Sequence, residues 1–438
     1  MSFLEWADKL PAGWEAKPLR STVDYVVSNV DKVPVEDEVP VRLCNYTDVY
    51  NNEFITLALD FMQATASEKE IAKFGLRVND VAITKDSESW DDIGVPALVR
   101  ETASDLVCGY HLALLRPHQQ KMEGAFLFRC LQAKPVRVQL ELAANGVTRF
   151  GIPKSEIGAM TLPVPSLQQQ RSIADYLDRE TARLDALVAA KERVLRLLAE
   201  KRRALITRAV TRGLDPRAPL RDSGIPWLGE IPAHWTSTRL RFLGRFKGGA
   251  GFPHEDQGLR DEALPFFKVK DLSQSDQGFV LIDTDNSISF STAARLRAFV
   301  FPAGTIVFAK VGAALLLSRF RVLGSTACID NNMMGFMVHE AVVDRDFALT
   351  IMRLVNFSEV VNPGAVPSLN EEQIGDQPVA LPPLREQREI LARLSTATTE
   401  LDAVRLCTEH TIALLKERRA ALIAAAVTGQ IDVGEFAA

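Results

Sequence analysis

The sequence predicts an α+β protein made of two tandem copies of one plan, each a mixed globular region followed by a long helix. Three observations carry this. The segment LPVPSLQQQRSIADYLDRETARLDALV, from Leu162, aligns without a gap with VALPPLREQREILARLSTATTELDAVR, from Val379. Apolar residues in both segments recur in alternating steps of four and three, the period of a packed helix. The stretches ahead of them break into short apolar runs separated by turn residues, the pattern of strands and short buried helices.

The repeat is dense where it is strongest. Pro165 meets Pro382, Leu167 meets Leu384, and Gln170-Arg171 meets Gln387-Arg388. Leu184-Asp185-Ala186 meets Leu401-Asp402-Ala403, and Ala209-Val210-Thr211 meets Ala426-Val427-Thr428. A weaker repeat opens each half: Trp6 and LPAGW (Leu10 to Trp14) resemble Trp227 and IPAHW (Ile231 to Trp235). The middles barely match. A shared plan with different middles suggests two modules doing one kind of job on different targets. The expected division is a first globular region at 1–164, a central helical region at 165–217, a second globular region at 218–380 and a distal helical region at 381–438.

Each helix opens after a proline, Pro165 or Pro383, and stops near a glycine, Gly213 or Gly429. A helix running from Gln168 to Arg212 rises about 1.5 Å per residue, or about 65 Å. Its stripe includes Leu177, Leu184, Leu187, Val194, Leu198 and Leu205. The second helix offers Leu394, Leu401, Val404, Thr411, Leu415 and Leu422. Neither stripe is buried by its own helix, so the two helices are expected to pack on each other as an antiparallel coiled coil. The seam would hold Leu177, Leu184, Leu198, Leu205, Leu394, Leu401, Leu415 and Leu422, related by a pseudo-twofold axis. The basic cluster Lys201-Arg202-Arg203, with Arg208 and Arg212, is either a solvated helix face or a contact for phosphate or an acidic partner.

In the globular regions, VPVRLC at Val39, NDVAIT at Asn79, YHLALL at Tyr110 and AFLFRCL at Ala125 are expected as strands or buried helices. LPFFKV at Leu264, GTIVFAKV at Gly304 and MMGFMV at Met333 are expected likewise. Basic residues end several of these runs. Lys85 opens KDSESWDD, Lys310 opens a small-residue loop, and Lys247 precedes GGAGFPHE. Lys268 and Lys270 flank Val269, and Arg319 and Arg321 flank Phe320, so each pair is expected on one face of a strand. Such residues are either ordinary surface groups or donors offered to base edges and phosphates.

Composition removes several classes. A formal charge of −5 makes the chain no globally basic nucleic-acid binder, though a local basic face remains compatible with it. No apolar run reaches the length of a membrane span, and the acidic N-terminus lacks a secretory core, so a cytoplasmic protein is expected. The five cysteines, Cys44, Cys108, Cys130, Cys328 and Cys407, include no pair at metal-ligand spacing and are expected as buried thiols. There is no GxxxxGK[ST], no GxSxG and no zincin motif, since Val343 stands where HExxH needs histidine. Asn362-Pro363-Gly364 departs from the Asn-Pro-Pro-aromatic loop of adenine methyltransferases. No catalytic or metal site is expected. The acidic run Asp86, Glu88, Asp91 and Asp92 is the one enzyme alternative, and a solvated or capping loop is its plainer explanation.

The doubled Pro-x-Leu-x-x-Gln-Arg-x-Ile helix start resembles the DNA-specificity subunit of type I restriction-modification systems. The helix exits Lys201-Arg202-Arg203-Ala204-Leu205-Ile206 and Arg418-Arg419-Ala420-Ala421-Leu422-Ile423 are similar to that family, as is IPAHW ahead of a variable region. ITKDSESWDD and GYHLALLRP look like parts of a first target-recognition domain, and KGGAGFPHE like part of a second. The resemblance implies two target-recognition domains, each reading half of a split double-stranded DNA target, with the helices setting the gap. It implies docking of two copies of a modification subunit and of a motor-nuclease restriction subunit. No cofactor is implied in this chain, since S-adenosylmethionine, ATP and Mg belong to those partners. The DNA-contact candidates are Lys85, Ser87, Trp90, Tyr110, His111, Lys247, Lys268, Lys270, Lys310, Arg319 and Arg321. A coiled-coil scaffold that binds only proteins is the alternative from another class.

Overall fold

The structure is a computed structural model that describes residues 5–273, 279–361 and 366–433. Asn362-Pro363-Gly364 and the outermost residues of the 1–164 and 381–438 segments lie outside the described residues. The chain divides into two compact units, residues 1–194 with 408–438, and residues 195–407.

Unit 1 contains β1 (Glu15–Pro18), β2 (Val23–Val27), β3 (Val39–Cys44), α1 (Tyr46–Asn51), β4 (Phe54–Ile55), β5 (Met62–Ala66), α2 (Glu68–Phe74), β6 (Val81–Thr84), β7 (Asp86–Ser87), β8 (Pro96–Val99), β9 (Leu106–Cys108) and β10 (Leu112–Pro117). There follow α3 (Gly124–Gln132), α4 (Lys134–Ala143), β11 (Asn145–Gly146), β12 (Phe150–Gly151), α5 (Lys154–Ala159), β13 (Thr161–Val164) and the start of α6 (Leu167–Arg212). Its main sheet has the order β2-β10-β6-β8-β4, antiparallel except for the parallel pair β4–β8. A smaller sheet, β5-β3-β9, is antiparallel at β3–β5 and parallel at β3–β9.

The main sheet is covered on both faces, so its strands read as continuous apolar runs. Side chains alternate across it. Val81, Ile83, Ala113 and Leu115 join a core with Phe126 and Leu127 of α3, whereas Ala82, Leu112 and Leu114 join a second core with Val41 and Leu43 of β3. The final turn of the distal helix belongs to unit 1 and seals the first core with Ile423, Ala426 and Val427, beside Trp6 and Leu19.

Unit 2 contains β14 (Leu220–Asp222), β15 (Glu230–Pro232), β16 (Thr236–Arg239), β17 (Gly244–Gly248), β18 (Leu264–Phe267), β19 (Val280–Leu281), β20 (Ser287–Ile288), α7 (Phe290–Arg295), β21 (Ile306–Ala309), α8 (Ala313–Leu316), β22 (Phe320–Leu323), β23 (Cys328–Ile329) and β24 (Met333–Val338). It continues with α9 (Arg345–Met352), α10 (Phe357–Val360), α11 (Glu371–Gly375), β25 (Pro378–Leu381) and the start of α12 (Leu384–Val427). Its main sheet is β17-β24-β21-β22-β19, antiparallel except for the parallel pair β19–β22. Its smaller sheet is β20-β18-β23, antiparallel then parallel. Both sheets thus repeat the topology of unit 1, strand for strand, through the middles that barely match in sequence. The expected strands at Val39, Val81, Leu112, Leu264, Ile306 and Met333 all form, and the run at Ala125 is the buried helix α3.

The repeated helix start has a physical reason. Gln170 is fully buried. Its Oε1 accepts from the Glu123 amide at 2.8 Å, and its Nε2 donates to the carbonyls of Lys121 (3.0 Å) and Pro165 (2.9 Å). Gln387, also fully buried, does the same. Its Oε1 accepts from the Asp344 amide at 2.7 Å, and its Nε2 donates to the carbonyls of Val342 (3.2 Å) and Pro382 (2.9 Å). Each glutamine therefore pins the long helix to the loop that starts α3 or α9. A carboxylate of that loop faces the next arginine, Glu123 with Arg171 at 3.1 Å and Asp344 with Arg388 at 3.8 Å.

The two long helices run antiparallel within each unit. In unit 1, Asp185 meets Arg419 and Glu192 meets Lys416, so numbers rise along one helix as they fall along the other. In unit 2, Arg202 meets Asp402 at 2.6 Å. The Leu-Asp-Ala motif of each helix thus supplies the aspartate for the arginine at the exit of the other. Gly213 and Gly429 close the helices at φ +70 and +71, a conformation glycine adopts without steric cost.

The seam differs in part from the expected heptad. Leu177, Leu184 and Leu394 are buried, and Leu198, Leu205, Leu401, Leu415 and Leu422 are half-buried. Leu187, Val194 and Val404, which continue the same period, are exposed. Two helices have only one shared seam, and the polar breaks at Glu180, Lys191 and Arg202 turn part of the stripe outward. Of the cysteines, Cys44, Cys108, Cys130 and Cys328 are buried as expected, and Cys407 is exposed on α12, against expectation. Burial pushes the Cys108 thiol up to about 12 and the Cys328 thiol up to about 11, which keeps both protonated and unreactive.

Candidate nucleic-acid interface

One end of each main sheet gathers the candidate residues. In unit 1 this end collects the last residue of β6, the first of β10, the last of β2 and the loop that precedes β8. Lys85 leaves β6 there. Its amide donates to the His111 carbonyl at 2.8 Å, and its carbonyl accepts from the Ile152 amide at 2.9 Å. In unit 2, Lys310 leaves β21 in the same frame. Its amide donates to the Asn332 carbonyl at 2.8 Å, and its carbonyl accepts from the Leu369 amide at 2.9 Å. Two lysines from unmatched sequence therefore occupy one structural position.

The side chains around the two lysines differ. In unit 1, Lys85 Nζ donates to Asp86 at 2.8 Å, and His111 Nδ1 lies 2.7 Å from the other oxygen of that carboxylate. Burial works to raise the Asp86 carboxyl. The bonds from Lys85 and His111 outweigh it and hold the group below its ordinary value, ionised. Gly151 faces Asp86 so closely that a Cβ there would sit 2.8 Å from its Oδ1. Tyr110 is exposed, with its ring 3.8 Å from that of His111. Ser87 is buried in β7 and bonds to the Tyr46 hydroxyl, whose titration it opposes burial in shifting. Trp90 is exposed on the loop between β7 and β8. The acidic run is a structural loop: Asp92 accepts from the Tyr50 hydroxyl at 2.6 Å, and Ser89 bonds to Asp91. No group of three metal-ligating side chains occurs among the described residues.

In unit 2, Lys247 is half-buried in β17, which leads into the glycine loop at the same sheet end. Lys310 Nζ lies over Gly248, where a Cβ would approach it to 2.9 Å, and the Gly248 amide donates to Glu371 at 2.8 Å. Arg319 is exposed just ahead of β22 and donates to Ser273 at 2.5 Å. Arg321 lies within β22 opposite Val307, half-buried, and donates to the Phe320 carbonyl at 2.9 Å. The strand expectation therefore holds for Arg321 and fails for Arg319.

It fails also for Lys268 and Lys270. The chain leaves β18 at Phe267 and turns into a single-turn 3₁₀ helix, Val269–Ser273. The Asp271 carboxylate accepts the Lys268 amide at 2.7 Å, as Asp48 accepts the Asn45 amide at 2.7 Å at the start of α1. A capping aspartate, invisible to an alternation rule, ends the strand. The lysines part: Lys268 donates to Gln257 at 2.8 Å, and Lys270 pairs with Asp285 at 3.0 Å, which also holds Arg260 at 2.5 Å.

Sequence reasoning missed Arg149. It sits on the β11–β12 hairpin with its NH2 3.0 Å from His111 Nε2. Asn145 and Gly146 form the first strand of that hairpin and residues 147–149 its turn, so no two-residue turn signal marks it in the sequence.

Each unit thus repeats one architecture and offers the same sheet end with different side chains. Residues 232–406 match the family described as "Type I restriction modification DNA specificity domain". The chain is 22% identical to the putative type I restriction enzyme MjaX specificity subunit of Methanocaldococcus jannaschii, over 88% of this chain and 87% of that protein. It is also 22% identical to the EcoKI specificity subunit of Escherichia coli K12, over 97% of this chain and 90% of that protein. Its fold is similar to the HsdS subunit crystal structure from Thermoanaerobacter tengcongensis, with a TM-score of 0.57 and 17% identity over 96% and 98% of the two chains. It is similar as well to a chain from a structural study of complex assembly in the type I R-M system, with a TM-score of 0.68 and 17% identity over 96% and 99%. Over residues 232–406 the chain thus matches a type I restriction-modification DNA specificity domain, and along most of its length it is similar to specificity subunits of such systems.

Proposed function

We propose that this chain reads a bipartite DNA target, one half-site for each unit, and brings partner methyltransferase and endonuclease subunits to it. The observation that carries this reading is the duplicated frame at Lys85 and Lys310, which has the same backbone bonds and different surroundings. A common scaffold with different side chains at its loop end is what two unequal half-sites require. Lys85, Ser87, Trp90, Tyr110 and His111 serve the first half-site, and Lys247, Lys268, Lys270, Lys310, Arg319 and Arg321 serve the second. The helices fix the gap, and two modification subunits and a restriction subunit complete the complex. The chain is non-catalytic, and S-adenosylmethionine, ATP and Mg act in those partners.

Exposed apolar residues on the helices support a partner surface: Leu187, Val194 and Leu414 in unit 1, and Leu197, Val404 and Leu406 in unit 2. The net charge of −5 implies that partners supply much of the phosphate binding. The salt dependence of DNA binding should therefore steepen when the modification subunit joins; equal slopes contradict that division of labour.

The test is genome-wide adenine-methylation mapping in the host and in a strain lacking this gene. Loss of methylation at one split motif is expected. Unchanged methylation with the partner genes expressed contradicts the reading and favours a scaffold, which would leave no DNA footprint.

A further inference from the structure

We infer that Arg149 is a specificity-determining residue that reads a guanine in the half-site of unit 1; the inference rests on the DNA-reading function proposed above.

An exposed arginine on a hairpin tip ordinarily samples many rotamers, and ordering it on binding costs affinity. Arg149 is exposed yet held by a chain of supports. Its NH2 lies 3.0 Å from His111 Nε2 and 3.2 Å from Nδ1. Both contacts are made by the same NH2 group, so one edge of the guanidinium is anchored on the imidazole. The ring is in turn fixed by Asp86 at 2.7 Å, and Asp86 by Lys85 at 2.8 Å. The hairpin that carries Arg149 is tied to the same residue by its backbone, because Phe150 and Gly151 pair with Ser87 and Asp86. His111 itself adopts φ +70, a backbone region that non-glycine residues enter seldom and keep where a surrounding network demands it.

This rigidity serves no core. The guanidinium borders an open hollow of about 580 Å³, with the stacked rings of Tyr46 and Tyr50 and the polar groups of Ser87 and Asp92 on its walls. NH2 is spent on the imidazole, and Nε and NH1 carry the in-plane N–H groups that remain for a ligand. A planar fork held in that way matches the O6 and N7 acceptors of guanine in the major groove, the commonest specific arginine contact with DNA. Asp86, His111 and Lys85 act as positioning residues for it. Unit 2 has Val311 in the bridge position of Asp86, opposite Ser368, and Asn332 in that of His111, so the device belongs to one half-site.

The test is methylation-motif mapping in cells that carry Arg149→Lys or Arg149→Ala in the full chain with its partners. Arg149→Lys keeps the charge and loses the fork. The expected result is loss of a guanine requirement at one position of one half-site. Discrimination there should fall about 5- to 150-fold, the range for one bidentate base contact. The other half-site and the gap should stay as they are. His111→Ala should relax the same position in part and no other. A motif unchanged in both Arg149 variants overturns the inference, as does a uniform fall at every site, which marks a phosphate contact. The function itself fails separately, if deleting the whole gene leaves methylation intact.

Discussion

Arg419 in unit 1 and Arg202 in unit 2 hold matching places on the long helices, and their surroundings differ. Both bond the aspartate of a Leu-Asp-Ala motif, Asp185 at 3.0 Å and Asp402 at 2.6 Å. In unit 1 the space beside this pair is filled with charge. Arg129, 1% exposed, donates to Asp178 at 2.7 Å and to Thr181 at 3.1 Å, and Arg419 donates also to Glu53 at 2.5 Å. In unit 2 the matching positions hold Thr350 for Arg129, Ser395 for Asp178 and Phe279 for Glu53. A groove of about 750 Å³ stands in place of the network. Arg353 lies 3.7 Å from the centre of the Phe279 ring there, and burial, with Arg321 and Arg202 nearby, pushes its guanidinium down to about 10. The repeated residues hold helix to helix. The unrepeated ones decide whether the joint behind them is filled or open.

That comparison is broken most sharply at Arg129. Removing one partner of a buried ionic network leaves charge without compensation, so Arg129→Ala should cost unit 1 about 3–5 kcal/mol. Thr350→Ala at the matching place should stay within about 0.5 kcal/mol. Denaturant unfolding of both variants measures the pair, and equal costs would erase the distinction.

The glutamines sharpen the shared half of the comparison. Gln170→Ala and Gln387→Ala each strip a buried glutamine from three hydrogen bonds. Each should cost about 1–3 kcal/mol, and by similar amounts. A large cost at one and none at the other would show that the duplicated frame is not energetically duplicated. Smaller again is Arg202→Ala. Its pair is more than a third exposed on both sides, so about 0–1 kcal/mol is expected. Arg419→Ala should exceed it, because Arg419 is 19% exposed and serves two carboxylates.

The smallest effect is in acid. The Asp86 carboxyl is held below its ordinary value, so its stabilisation is complete above about pH 4 and is lost as pH falls through the lowered value. Asp86→Asn should flatten part of the acid unfolding curve of unit 1. Unit 2, with Val311 at that position, has no matching contribution to lose.

Much of the fold was legible. The helices announced themselves because one face repeats every seven residues, and the strands because both faces of each main sheet are covered. The identity of the two middles was not legible. A ladder of backbone bonds tolerates many side chains, so β6 and β21 share neighbours and register with little sequence in common. The exposed Leu187 and Val404 escaped because periodicity gives a stripe without saying what covers it. Lys268 and Lys270 misled because Asp271 ends the strand by a side-chain bond that alternation does not encode. At the candidate interface, Lys85 and Lys310 were visible as strand ends. Their equivalence, and the support that His111 gives Arg149, needed residues far apart in the chain to be brought together.

The central claim is that two copies of one frame read two different half-sites. It is tested most directly by exchanging residues 1–164 for the corresponding region of another specificity subunit and mapping adenine methylation. The account predicts that one half-site changes while the other half-site and the gap persist. A change in both half-sites, or in neither with methylation retained, would contradict it.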